Sequence, residues 1–295
     1  MLCAILLALQ TPVTQRYAAS AISAGSGVYV MGGSQIESHR QEAQVDIFNP
    51  KTGKWRRGDP LKASRDFAAV TSAGKLLMFA GGLDRDQKTT NRVDFYDLVE
   101  QEWIDAPPMP VAVSRASADM WGLECLFTGG IEIQGKTSVN SKVVQMFNRR
   151  LSSWSRGPDL PYGVHGHTTT VVGDTAYVIA GVKGNNSDRS TDILALTGSK
   201  GGWKQVGSLP TSRMFHGTVA YNGCLYVFGN RGPLPHPAKF DPKTGKVTDL
   251  KCPDIANHRF AYARHGDKVY FFGGDGPDTA DRVFDLTTES WMKLH

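Results

Sequence analysis

Five arginines and three histidines are the residues whose types and spacing could do chemistry. Arg16, Arg65, Arg115, Arg213 and Arg259 recur at steps of about fifty residues, with Val164 at the remaining place. A guanidinium offers a planar fork of donors that matches a carboxylate, so a ring of five would form a rim that attracts anions. The same side chains could instead hydrogen-bond nearby carbonyls and tie neighbouring segments together. Residue type leaves both roles open. His165 and His167 lie two apart, on the same side of a strand, and His216 aligns with His167 one step later. Converging imidazoles could ligate zinc or copper. No carboxylate or cysteine stands at the matching positions to complete a ligand set, so no cofactor and no catalytic residue is expected.

These residues need a scaffold that repeats as they do. The stretch Ser64 to Pro110 gives the clearest copy. An apolar run from Phe67 to Thr71 meets a turn at Gly74, and a second run from Lys75 to Ala80 ends on Gly81 and Gly82. A polar loop then leads to an alternating run, Arg92 to Tyr96, and to a last one around Trp103. The unit reads as four short antiparallel strands. It recurs six times, with its glycines at Gly32 and Gly33, Gly81 and Gly82, Gly129 and Gly130, Gly181, Gly229, and Gly273 and Gly274. Trp55, Trp103, Trp154, Trp203 and Trp291 mark the fourth strands, and Val247 replaces the tryptophan in the fifth copy. A fixed period of this length signals a repeat architecture.

A diglycine after the second strand, an aromatic in the third and a tryptophan in the fourth resemble the kelch repeat. The resemblance covers about Arg16 to His295 and implies an all-β, six-bladed β-propeller with four antiparallel strands per blade. The blades fall at 13–61, 62–110, 111–161, 162–210, 211–254 and 255–295. The second-to-third-strand loops are the long, unequal ones, and together with the junctions between blades they define one face of the ring, where we place the working surface. The resemblance implies a non-catalytic scaffold that docks a protein segment or a glycan there, and similar arginines engage acidic peptides in some kelch domains. Kelch-like sugar epimerases and copper oxidases supply the alternative, an extracytoplasmic enzyme acting on a sugar.

Composition frames the partners. A net charge of +5 with pI near 9.0 favours acidic ligands, but the cations are scattered through all six copies. Without a stacking platform, nucleic acid is not expected as a partner. No segment reaches the ~20 apolar residues of a membrane span, and a monomer is expected. Residues 1–12 hold an apolar run that does not fit the repeat. It reads either as a signal peptide, which would send the protein to an extracytoplasmic compartment, or as an extra strand of a cytoplasmic one. Cys3, Cys125, Cys224 and Cys252 have no metal spacing and leave the compartment open. One glycosylation sequon spans Asn185 to Ser187.

Overall fold

The computed structural model describes residues 16–184, 188–198, 201–231 and 236–294. The segment 1–12 and the sequon at 185–187 therefore lie outside the described residues. Six four-stranded antiparallel sheets follow one another, each ordered from the innermost to the outermost strand along the chain. Blade one is built from Ser20–Ala24, Gly27–Met31, Val45–Asn49 and Lys54–Arg57, and blade two from Ala69–Ala73, Leu76–Ala80, Val93–Asp97 and Glu102–Asp105. The innermost strands begin two residues later than the apolar runs suggest. Phe67 thus falls before its strand, in a left-handed conformation with φ of 50°.

The sheets stack side by side because neither face of a blade can stay wet. Tyr29, Met31 and Ile47 of blade one pack against Leu77, Phe79 and Tyr96 of blade two. Val28, Val30 and Phe48, on the other face of blade one, pack against Tyr270, Phe272 and Val283 of blade six. Blade six carries its own outermost strand, Ser290–Lys293, so the ring closes without borrowing one.

The glycine doublet works between blades. A Cβ on Gly32 would lie 2.5 Å from the Arg65 carbonyl oxygen of the next blade, and one on Gly81 would lie 2.5 Å from that of Val113. This close approach lets the following amide donate across the seam: Gly33 to Arg65 at 2.9 Å, Gly82 to Val113 at 2.9 Å, Gly130 to Val164 at 2.8 Å and Gly274 to Arg16 at 2.9 Å. Gly181 and Asn230 complete the series in blades four and five, so the replaced doublets keep the bond. The tryptophans bridge seams as well. Indole N–H groups of Trp103, Trp154, Trp203 and Trp291 donate to the carbonyls of Asp59, Pro107, Pro158 and Pro253, each at the end of the preceding blade, at 2.7–3.0 Å.

Candidate functional site

A second ring of hydrogen bonds circles the channel on the loop face. It joins Ala18, Phe67, Arg115, Gly166, Phe215 and Arg259, one residue per blade, and each amide donates to the carbonyl of its counterpart in the preceding blade at 2.7–3.4 Å. All six have φ between 50° and 60°. Left-handed geometry is unusual for Phe and Arg and is held only where surrounding structure imposes it. Here it turns the side chains toward the axis. The order small, Phe, Arg repeats twice around the ring, which gives the mouth a pseudo-two-fold character. Phe67 and Phe215 come from opposite blades and meet with centroids 5.8 Å apart. The Arg115 guanidinium lies 4.4 Å from the Phe67 centroid, and that of Arg259 lies 5.7 Å from Phe215 and 5.1 Å from Tyr17. Together they stopper a channel cavity of about 570 Å³ lined by the innermost strands.

The five arginines are not equivalent, contrary to the repeat-based alignment. Arg16, Arg65 and Arg213 stand sixteen residues before the first glycine of their doublet and donate to its carbonyl at 2.9, 3.1 and 2.8 Å. They are 1–2% exposed. Arg16 pairs with Asp46 at 2.7 Å, Arg65 with Asp94, and Arg213 with Asp254 at 2.8 Å. Burial draws Arg16 and Arg65 down to about 10, which still leaves both charged at neutral pH. These three are internal clamps that fasten the root of the loop between second and third strands. Asn257 plays that part in blade six, donating to Gly273 at 2.7 Å. Arg115 and Arg259 lie two residues further along and belong to the channel ring. Matching residues by type rather than by distance from the glycine hides this difference.

The two ring arginines also differ from each other. Arg259 is tied to Asp275 at 2.5 Å, a carboxylate that also faces His258 Nε2 at 3.2 Å. Arg115 makes no side-chain hydrogen bond or ion pair among the described residues and rests on Phe67 alone. Burial lowers its pKa, Asp66 partly offsets this, and the charge of Arg259 lowers it further.

The three histidines do not converge. His165 Nδ1 bonds Asn140 Oδ1 at 2.8 Å near the face. His167 Nε2 meets the Thr128 hydroxyl at 2.8 Å in the seam of blades three and four, and His216 Nε2 meets Thr168 at 3.1 Å in the next. In each seam that same hydroxyl also bonds a second threonine, Thr169 or Thr218, at 2.6 and 2.7 Å. Burial is the main cause that pushes His165 to about 4, His167 to about 3 and His216 well below its usual value, so all three are neutral. No group of three or more His, Cys, Asp or Glu among the described residues is placed to hold a metal ion. Cys125, Cys224 and Cys252 are free thiols, and burial drives that of Cys125 up to about 12.

Comparison with known proteins agrees with this architecture. The chain is 24% identical over 227 residues to human Kelch-like protein 23, covering 75% of this chain and 39% of the relative. It is 24% identical over 220 residues to human Kelch-like protein 38, with 74% and 36% covered. Kelch-like protein terF of Aspergillus terreus is 23% identical over 281 residues, covering 85% and 61%. The chain thus spans less than two thirds of each relative's length. The profile of the Attractin/LZTR1 beta-propeller family matches residues 28–235, more than half of the sequence, and the chain belongs to that family.

Proposed function

We propose that this propeller is a non-catalytic binding module that docks a protein segment on its loop face, with Arg115 receiving an acidic side chain of the partner. The observation that carries this reading is a guanidinium at the centre of that face that makes no ion pair or side-chain hydrogen bond among the described residues, feels Asp66 only at longer range, and is held in place by an aromatic ring. Such a group is pre-organised, and a bidentate carboxylate would satisfy it at little entropic cost. The Phe67 and Phe215 rings beside it offer an apolar neighbour for the residue next to the acid.

Selection of a random peptide library against the whole chain tests the proposal. Recovered segments should carry an acidic residue, and their affinity should fall at least tenfold, about 1.4 kcal/mol, on Arg115→Lys, because Lys lacks the fork. Melting of that variant should stay within about 0.5 kcal/mol of the parent. Arg65→Lys should do the reverse and cost about 2–4 kcal/mol of stability, since Lys lacks the fork that holds the carbonyls of Gly81 and Arg92 together with Asp94 and would leave buried acceptors without donors. Segments that bind Arg115→Lys as well as the parent would refute the role of this arginine.

A further inference from the structure

The seams are not equally filled on the opposite face, where the first turn of each blade lies. The residue opening each second strand stands across from the end of the third: Leu76 from Asp97, Glu124 from Asn148, Thr175 from Thr197 and Lys268 from Asp285. Two of these pairs are bonded. Asn148 Nδ2 donates to Glu124 Oε1 at 2.6 Å, and the Thr175 and Thr197 hydroxyls are 3.0 Å apart. Blade one has Gly27 at this place, facing Ile47, whose Cγ2 would lie 2.9 Å from an added Cβ. Ile47 packs directly over Gly27, no side chain rises there as in the other blades, and a cavity of about 500 Å³ lies alongside, between blades one and two.

That cavity has the chemistry of an anion site. Its floor is apolar and aromatic, with Tyr29, Ile47 and Leu98. Lys54 and Arg56 project from the outermost strand of blade one on the same side, since Ile47 pairs with Arg56 and Asn49 with Lys54. Both cations are exposed, and neither has an ion-pair partner among the described residues. Asn49 Oδ1 is taken by the amides of Lys51 and Thr52 at 2.9 and 3.2 Å, so its Nδ2 remains to donate, as does the amide of Gln101. No carboxylate among the described residues lines the cavity.

We propose that the cleft between blades one and two binds a small phosphomonoester carried on a flat or apolar body, with Lys54 and Arg56 on the phosphate. Two cations without an ion pair among the described residues match a group of charge about −1.5 to −2 at neutral pH better than they match a monocarboxylate. Several neutral donors serve its remaining oxygens, and the Tyr29 floor takes the body. The size lies within the usual range of small-molecule pockets, about 300–1,000 Å³. The site lies on the face opposite Arg115 and does not depend on the docking role proposed for it.

Calorimetric titration of the whole chain with phenyl phosphate is the test, with benzoate, inorganic phosphate and phenol as comparisons. Phenyl phosphate should bind with Kd below about 1 mM at low salt and more tightly than each comparison. Lys54→Ala and Arg56→Ala should each weaken it about tenfold or more without lowering the melting temperature, since both side chains are exposed. Arg115→Ala should leave binding unchanged. Absence of binding at about 10 mM, or binding indifferent to Arg56→Ala, overturns the proposal. Inorganic phosphate binding as tightly as phenyl phosphate overturns the part played by the apolar floor.

Discussion

At the scale of single residues, the sequence marks arginine as important without saying which kind of importance. Arg65-Asp66-Phe67 and Arg213-Met214-Phe215 place a clamp and a channel residue two apart, and the glycine sixteen residues beyond the clamp is the ruler that tells them apart. The left-handed φ of the channel residue has no signature in side-chain type, which is why Phe67 reads as the start of a strand. Buried histidine makes a different kind of prediction. His167 cannot take a proton inside its seam, while the unfolded chain takes one near pH 6.5, so its contribution is complete above pH 6.5 and is lost as pH falls toward about 3. Asp119, which accepts from the amides of Met120 and Val171, runs the other way. Burial lifts it to about 6, so its contribution is complete below its unfolded value and is lost as pH rises through about 6. His167→Gln should therefore lose less melting temperature than the parent between pH 6.5 and 5. Parallel curves for the two proteins would show that this imidazole is not the source of acid sensitivity.

At the scale of strands and blades, the six four-stranded sheets were legible, while the hairpin of Ile131–Gln134 with Thr137–Asn140, inside a segment read as a loop, was not. The diglycine, the third-strand aromatic and the tryptophan give the four strands and their order, because a short blade must bury large side chains at fixed places. What could not be read was the partner of each signature residue, since that partner lies in the next copy. Trp103 illustrates this: its ring packs on Tyr96 of its own blade at 5.0 Å, while its N–H reaches back to the Asp59 carbonyl. Being half-buried rather than enclosed, Trp103→Ala should cost about 2–4 kcal/mol in denaturant unfolding. Val247, with no side-chain N–H to offer, stands opposite Phe240 in the fourth strand of blade five and packs on the cluster around it, and Val247→Ala should cost about 1 kcal/mol. The reverse order would mean that the indole bridge contributes little.

At the scale of the whole molecule, two circles of hydrogen bonds pass through every seam. The seam of blades six and one is formed like the rest, through Ala18 to Arg259 at 2.7 Å, Gly274 to Arg16 at 2.9 Å, and Trp55 against Phe272 at 4.9 Å. Every other seam is also crossed by the covalent chain. In mechanical terms the protein is a split washer: a load applied between residues 16 and 294 falls on this one joint, while its five counterparts are shielded by the backbone that runs across them. In a force-extension experiment the first rupture should be the opening of that joint. Trp55→Ala should lower its force, and Trp154→Ala, which loosens a shielded joint, should not; equal effects from the two would mean that the washer yields elsewhere.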